Sequence, residues 1–159
     1  MIQADELEAW CDAELDPGHF SDYCPNGLQV EGTRPVRRLA TGVTACQALL
    51  DAALAWDADA ILVHHGYFWR GEPEPLTGMK GRRVRTLMQN GVSLLAYHLP
   101  LDAHPVHGNN ARLGELLGFE DADATAAGDG LLWRARLSEP LDADGLAERI
   151  EAALERTPL

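Results

Sequence analysis

The sequence predicts an α/β fold: a mostly parallel sheet flanked by helices, followed by the start of a second, incomplete lobe. Segments of strand and helix periodicity alternate between residues 38 and 118. Strands that alternate with helices are joined by right-handed crossovers and therefore lie parallel within one sheet. A chain of 159 residues, 46% of them hydrophobic, is long enough to bury the core that such a sheet requires.

We expect three parts along the chain. Residues 1–120 form the α/β lobe, which carries the candidate metal site. Residues 121–130 are acidic and small, and they predict a linker. Residues 131–159 begin a second lobe, because one strand and one helix cannot bury a core of their own.

The N-terminal segment predicts a helix, a loop and a short strand. Residues 3–15 have helical periodicity, and Pro17 and Gly18 end the helix. Residues 21–27 are rich in turn formers and predict an ordered loop, which either connects two elements or lines a site. Residues 28–30 predict a short strand. The apolar face of the helix carries Leu7, Trp10, Cys11 and Leu15.

The first strand–helix–strand unit follows. Residues 38–43 predict a long strand, and Thr44 with Gln47 fits the capping-box pattern, with Thr44 as the N-cap of the next helix. A second strand is predicted over 60–63. The helix between the two strands would bury Cys46, Leu49, Leu50, Ala53 and Leu54.

A second unit of the same kind continues the pattern. Residues 71–78 contain two prolines and two glycines and predict a loop. Residues 80–90 predict a helix, Gly91 its left-handed C-cap, and residues 92–97 a third strand. The inward face of this helix carries Val84, Leu87 and Met88.

The remaining elements are a helix, a strand and a final helix. Asn109 or Asn110 caps the first of these helices, which Gly118 closes. It carries Leu113, Leu116 and Leu117. Residues 131–137 alternate between apolar and polar side chains, which predicts a strand with one wet face. Asp142 caps the last helix, and Pro158 ends it.

Composition excludes several classes of function. The net charge of −12 argues against a nucleic-acid-binding or anionic-membrane surface, because such a field repels phosphates. Three cysteines without C-x-x-C spacing argue against a disulfide framework or a thiolate zinc site. The sequence shows neither the pattern of a secretory signal nor an apolar run of membrane-spanning length. We therefore expect a cytoplasmic protein.

Three histidines and one aspartate follow two of the predicted strands. His64 and His65 come directly after the run 60–63, His98 follows the third predicted strand, and Asp102 lies four residues further on. The carboxyl ends of parallel strands meet at one edge of a sheet, where open α/β sheets bind ligands. These four side chains therefore predict a divalent-metal site.

The spacing of these residues is compatible with one metal ion or with two. His64 and His65 point in different directions, because side chains alternate along a strand. Each could bind one of two ions, or one could bind a metal while the other supports it. Asp102 is then the natural bridge, since two-metal hydrolytic sites hold their ions roughly 3.5–4 Å apart. Imidazole and carboxylate ligands fit Zn, Fe, Mn and Co alike.

Other interpretations stay open for several residues. His98 could be a core histidine bonded to a backbone carbonyl group. His104, His107 and His19 lie beside glycine or proline, and we interpret them as loop residues. The basic cluster 79–85 lies at a helix N-terminus, where cations oppose the macrodipole. It indicates a solvated face, a site for a phosphate-bearing substrate or a contact with an acidic partner surface.

At these motifs the sequence resembles the NIF-three-like dinuclear-metal proteins, which in bacteria are called GTP cyclohydrolase I type 2 homologues. The resemblance covers nearly the whole chain. The matching motifs are 21–32, 41–44, 63–69, 97–105 and 108–110.

This resemblance implies two interlocked lobes of similar fold, ring-shaped homohexamers, and two divalent ions per subunit that face an internal cavity. It assigns metal ligation to His64, His65 and Asp102. It places His98 close to the ions, as a supporting residue or a weaker ligand. Family members are usually longer and supply further ligands from a C-terminal His-x-x-x-Glu, which nothing after Asp102 matches. We therefore expect either a fragment or a metal centre that has lost half of its ligands.

Two functions follow as expectations. The first is a metal-dependent hydrolase, similar to GTP cyclohydrolase, that acts on a small nucleotide-like molecule. Water activated by the metal would be its nucleophile, and His98 would be the catalytic residue that moves protons. The alternative is a non-enzymatic metal-binding scaffold or interaction protein.

Overall fold

The computed structural model describes residues 1–158, which divide into two compact units: Met1–Pro100 and the residues from Leu101 onward. Leu159, the last residue of the predicted second lobe, lies outside the described residues. In chain order the first unit contains α1 (Ala4–Leu15), β1 (Gly27–Val30), β2 (Leu39–Thr44), α2 (Gln47–Ala55), β3 (Ala60–His65), α3 (Gly78–Asn90) and β4 (Ser93–Ala96).

The first unit contains a four-stranded sheet in the order β1-β4-β3-β2. β2, β3 and β4 are parallel, and β1 pairs antiparallel with β4 at one edge. The prediction of a mostly parallel α/β sheet flanked by helices is therefore confirmed. The register pairs Val63 with Ala96 and Thr44 with His65, so the carboxyl ends of the parallel strands lie at one edge of the sheet.

The core of this unit lies around the two central strands. All four residues of β4 are buried, which is typical of a parallel strand covered on both faces. Leu50 of α2 and Leu87 of α3 are fully buried in the same cluster. The other core residues in this cluster include Ala53, Ile61, Val63, Val84, Val92 and Leu94. These apolar contacts fix the position of the strand ends.

Two side chains that were predicted to face inward are exposed. Trp10 of α1 is 66% exposed and Met88 of α3 is 62% exposed. The buried stripe of α1 is narrow and runs through Leu7 and Cys11. Leu87 already occupies the inward position of α3, and a helix turns by about 100° to its next residue. Met88 is therefore directed away from the core.

The predicted N-cap of α2 was wrong. Thr44 is the last residue of β2, where it pairs with His65, and Cys46 occupies the N-cap position. The backbone N–H of Ala45 donates to the carbonyl oxygen of His65 at 2.9 Å. Parallel pairing with β3 thus continues further than the capping pattern suggested.

The short helix α4 (Leu99–Ala103) begins at the end of the first unit. The second unit then contains α5 (Asn109–Leu116), β5 (Glu120–Ala124), β6 (Trp133–Arg136) and α6 (Ala143–Leu154). β5 and β6 form an antiparallel pair, and the side chain of Asp142 caps α6 as predicted by accepting from Gly145 N–H at 2.8 Å.

The elements of this region differ in part from the predicted ones. The first compact unit ends at Pro100, and the segment 121–130 contains most of β5 and a short 3₁₀ helix. Ala122 is the half-buried residue of β5, so a single small apolar residue in an acidic run concealed the strand. The N-cap of α5 is Gly108, because the side chain of Asn109 donates to Asp102 and that of Asn110 to the carbonyl oxygen of Leu131.

Within residues 1–158, no helix has both the length and the apolar character that crossing a membrane requires.

The turn after β3 depends on Gly66. A β-carbon at this position would overlap Oε1 of Gln29 and lie 2.7 Å from the β-carbon of Ala96. Because Ala96 is part of the buried strand β4, the backbone of β4 cannot easily move away from a β-carbon at residue 66.

We expect Gly66→Ala to lower the free energy of unfolding by about 1–3 kcal/mol, the usual cost of overpacking. Urea unfolding followed by circular dichroism measures it. Gly18→Ala is the control, because a β-carbon there meets only Asp16 Oδ1 at 4.0 Å. Equal stability of the two variants would contradict the steric argument.

Asp59, just before β3, has a buried carboxylate. It accepts hydrogen bonds from the backbone N–H groups of Arg37 and Arg38 at 2.9 and 3.0 Å and forms an ion pair with Arg34 at 2.8 Å. Burial opposes ionisation, but these hydrogen bonds and charges outweigh it and hold the pKa of Asp59 below its usual range.

A carboxylate with a lowered pKa in the folded state stabilises the fold above its unfolded pKa, and this contribution is lost as the pH falls through the folded value. We therefore expect Asp59→Asn to be less stable than the wild type at about pH 6, and the difference to shrink towards about pH 3, below the usual aspartate pKa of about 3.9. Urea unfolding at both pH values tests this. A difference that is independent of pH would be evidence against it.

Candidate metal centre

Three histidine rings meet at the carboxyl edge of the sheet. His64 and His65 are the last two residues of β3, and His98 follows β4 by two residues. One ligand atom from each ring lies within 4.8 Å of those of the other two. The ring centroid of His64 is 4.4 Å from that of His65 and 4.9 Å from that of His98. The structure thus brings together the three histidines that the strand-end argument selected.

The register of β3 and β4 explains this meeting. The backbone N–H of Tyr97 donates to the carbonyl oxygen of Val63 at 3.0 Å, which continues the parallel pairing to the ends of both strands. His64 and His98 therefore leave neighbouring strands at the same level. They do not depend on a flexible loop for their approach.

Each ring is oriented by a hydrogen bond at its Nδ1 atom. His64 Nδ1 lies 3.1 Å from the carbonyl oxygen of Tyr97, and His65 Nδ1 lies 3.2 Å from Thr44 Oγ1. A carbonyl oxygen only accepts, so Nδ1 of His64 carries the proton and the neutral ring has its lone pair on Nε2. Metal-ligating histidines are typically oriented in this way by an oxygen partner at the second ring nitrogen.

Tyr97 links the cluster to α1. Its ring is buried, and its hydroxyl group donates to Asp12 Oδ1 at 2.6 Å. Burial, together with the bond to Asp12, raises the pKa of the Tyr97 hydroxyl group, which is therefore protonated. The carbonyl oxygen that orients His64 belongs to this same residue, so α1 holds the residue that positions the ring.

Asp22 is the site residue that sequence reasoning missed. Its side chain is only 4% exposed, and Oδ1 accepts from His98 Nδ1 at 2.8 Å. Its carboxylate also accepts from the backbone N–H groups of Tyr23 and Leu99 and from the amide of Asn26. Burial opposes ionisation, but these four hydrogen bonds outweigh it and hold the pKa of Asp22 below its usual range.

The signal for Asp22 was present but incomplete. The turn formers in residues 21–27 predict an ordered loop, but they do not show whether it connects two elements or lines a site. The structure places Asp22 and Asn26, four residues apart in this loop, against the backbone that follows β4. No local pattern shows which distant segment a buried aspartate will contact.

Two further residues, one on β1 and one in the loop after β3, support this part of the structure. Gln29 accepts from the backbone N–H of Tyr67 at 2.6 Å and donates to the carbonyl oxygen of Pro25 at 2.8 Å, so it joins two loops. The ring of Trp69 lies edge-on to His98, with centroids 5.0 Å apart. The histidines therefore lie beside an aromatic side chain.

A second set of possible metal ligands consists of Asp22, Cys24 and His98. Burial, reinforced by the charge of Asp22, raises the pKa of the Cys24 thiol to about 11. A thiol ligates metal as the thiolate, and the oxygens of Asp22 already accept four hydrogen bonds. A buried, protonated thiol and a fully hydrogen-bonded carboxylate make this group a poorer set of ligands than the three histidines.

Asp102 lies on α4, in the second unit, where its Oδ1 accepts from the Asn109 side chain at 2.7 Å. His104 and His107 lie between α4 and α5, with their rings stacked at 5.1 Å, and Nδ1 of His104 accepts from the backbone N–H of His107. His19 ends a short 3₁₀ helix.

The basic cluster 79–85 lies on α3. Lys80 donates to the carbonyl oxygen of Pro73 at 2.6 Å and lies 5.7 Å from the centre of the Phe68 ring. This lysine thus packs against the preceding loop. These contacts of Lys80 do not favour a phosphate site or a partner contact over a solvated face, so the three interpretations of the cluster remain open.

Comparison with known proteins places the chain in a family. The family model of Duf34/NIF3 (NGG1p interacting factor 3) matches residues 2–159. A GTP cyclohydrolase 1 type 2 homolog from Allochromatium vinosum is 54% identical over 159 residues, which are 100% of this chain and 63% of the relative.

Two solved structures are also similar. Protein ybgI, described as of unknown function, is 47% identical with a TM-score of 0.94 over 99% of this chain and 63% of its own. A protein from Thermus thermophilus is 39% identical with a TM-score of 0.85 over 99% of this chain and 64% of its own. The chain therefore spans less than two thirds of the length of these relatives.

We expect Cys24 to react more slowly with iodoacetamide than the half-buried Cys46 in the folded protein, because Cys24 is buried and its thiol has a pKa raised to about 11. Peptide mass spectrometry after short labelling near neutral pH measures both rates. Labelling in urea is the control and should remove the difference. Equally fast labelling of both cysteines in the folded protein would contradict the assignment of Cys24 as an inert thiol.

Proposed function

The chain belongs to the Duf34/NIF3 family, and from this premise we propose that it binds divalent metal ions through His64, His65 and Asp102. We further propose that it is a metal-dependent hydrolase of a small nucleotide-like molecule, in which His98 transfers protons. The observation that carries this proposal is the meeting of three imidazole rings whose ligand atoms lie within 4.8 Å of one another.

The residues fit a divalent ion such as Zn, Fe, Mn or Co. Imidazole nitrogen is a good ligand for all four metals. Nδ1 of His64 and of His98 donates to an oxygen atom, so the neutral rings carry their lone pairs on Nε2. Such orientation before binding lowers the cost of ordering the ligands. The approach of three rings also suits two ions, for which His64, His65 and Asp102 would be the ligands.

A divalent ion bound here would supply Lewis-acid activation of water and of a substrate oxygen. The residues of the chain have separate tasks. His64 and His65 hold the ions, and His98 accepts or donates a proton at Nε2 while Asp22 stabilises its Nδ1–H group. Trp69 lies beside His98 and His65, with ring centroids 5.0 and 5.9 Å apart, and adds an aromatic surface to the site.

The substrate class comes from the relatives. Those at about half identity are named GTP cyclohydrolase 1 type 2 homolog, and that name suggests hydrolysis of a nucleotide-like molecule. The family description also contains the words interacting factor, which keeps a non-enzymatic metal-binding scaffold as the alternative. A cytoplasmic location, which the cysteine pattern of the sequence suggests, and assembly into a hexameric ring, which the family resemblance suggests, are further proposals.

We expect the purified protein to bind Zn²⁺ or Mn²⁺. His65→Ala and Asp102→Ala should each weaken binding by at least about tenfold, because even the loss of a residue that only supports a ligand costs about that much. Isothermal titration calorimetry with elemental analysis measures affinity and stoichiometry. His19→Ala is the matched control, because it removes an imidazole that lies on a short 3₁₀ helix and does not belong to the cluster of His64, His65 and His98.

The same variants test hydrolysis. A screen of nucleotides and phosphoesters should show metal-dependent turnover that falls in both site variants and in His98→Gln. Turnover that survives His65→Ala and Asp102→Ala would refute the hydrolase proposal. Metal uptake without turnover on any substrate would favour the scaffold.

A further inference from the structure

The buried carboxylate of Asp22 contacts both the ring and the backbone of the segment that follows β4. Oδ1 accepts from His98 Nδ1 at 2.8 Å, and Oδ2 accepts from the backbone N–H of Leu99 at 2.9 Å. Asn26 completes the contact, because its Oδ1 accepts from the backbone N–H of His98 at 2.8 Å while its amide donates to Asp22 at 3.0 Å. Two consecutive backbone amides and one imidazole are thus held by two side chains of a single loop.

We propose that Asp22 is a positioning residue that selects the Nδ1–H tautomer of His98 and keeps the lone pair on Nε2, the nitrogen on the far side of the ring from Asp22. An ionised carboxylate accepts hydrogen bonds but cannot donate one. It therefore accepts a hydrogen bond from Nδ1–H and excludes the tautomer in which Nδ1 has no proton. The His98 ring cannot rotate by 180° without losing its hydrogen bond to Asp22, whose side chain is only 4% exposed.

Hydrogen bonding in the loop also explains why this position requires a carboxylate. Four donors converge on Asp22: the backbone N–H groups of Tyr23 and Leu99, the amide of Asn26 and the ring of His98. Backbone donors cannot reverse their polarity, whereas an imidazole can. If one of the two oxygens became an NH₂ group, His98 would be the one partner able to adapt, by accepting at Nδ1.

Asp22→Asn therefore has a specific expected result. The amide oxygen should remain opposite Leu99 N–H and the Asn26 amide, which share Oδ2 in the wild type. The NH₂ group then takes the place of Oδ1, where it faces His98 and the hydrogen bond from Tyr23 N–H is lost. The imidazole then accepts at Nδ1 and carries its proton on Nε2. The lone pair that the proposed function requires on Nε2 is removed without removing the ring. The role of Asp22 in the mechanism rests on that proposed function, but the choice of tautomer does not.

The experiment is ¹⁵N NMR of histidine-labelled, metal-free protein at mildly alkaline pH, in which long-range correlations distinguish a protonated ring nitrogen from an unprotonated one. The His98 signals are assigned by their loss in His98→Gln. In the wild type we expect His98 to be protonated on Nδ1, and in Asp22→Asn on Nε2. A wild-type His98 with its proton on Nε2 overturns the proposal, even if the variant fails to fold.

Two further variants separate positioning from general stability. Asp59→Asn neutralises another buried carboxylate that accepts two backbone N–H bonds, at the opposite end of β3, and should leave the His98 tautomer unchanged. Asn26→Ser removes the neighbouring amide but keeps the carboxylate, and it should also retain Nδ1–H. A change of tautomer in either variant, or no change in folded Asp22→Asn, would refute the role of Asp22.

Adding Zn²⁺ to the same labelled wild type tests the proposed function separately. Shifts of the His64 and His65 signals report metal binding. If no metal binds while His98 keeps its proton on Nδ1, the proposed function fails and the positioning role of Asp22 stands.

Discussion

Pairing of β3 with β4 is the constraint on which the candidate site depends. It places His64 and His65 beside His98 because the two strands are parallel and in register up to the Tyr97–Val63 hydrogen bond. Both strands lie in the core, and every residue of β4 is buried. The same packing that stabilises the sheet therefore fixes the distances among the three rings. A site of this kind is as rigid as the core that carries it.

Much of this arrangement could be predicted from the sequence. Apolar runs that alternate with helical segments indicated the parallel sheet, and the histidines could be placed at its carboxyl edge because strand ends in parallel sheets coincide. The predictions failed where a residue had two possible partners. Thr44 and Asn109 both had suitable side chains for a helix cap, yet Thr44 extends the strand and Asn109 bonds to Asp102. Helix-capping propensity shows which local conformations are possible for a residue, and tertiary contacts decide which of them forms.

Asp22 shows a different limit. Its identity as an aspartate in a turn-rich loop suggested only local hydrogen bonding, which the bond to Tyr23 N–H satisfies. Its contacts with His98 and Leu99 depend on where α1 and β1 place the loop. The strand β5 was missed for the opposite reason, because its sequence is acidic and only Ala122 faces inward. In both cases the decisive information lies in the packing of distant segments.

The separation of Asp22 and His98 along the chain has a consequence for how the protein acquires its site. The two residues lie 76 positions apart, and the parallel strands themselves require long crossovers. Non-local contacts of this type form late, after the entropy of closing large loops has been overcome. The contact between Asp22 and His98 is therefore expected late in folding. The three-histidine cluster acquires its final geometry only when the sheet is complete.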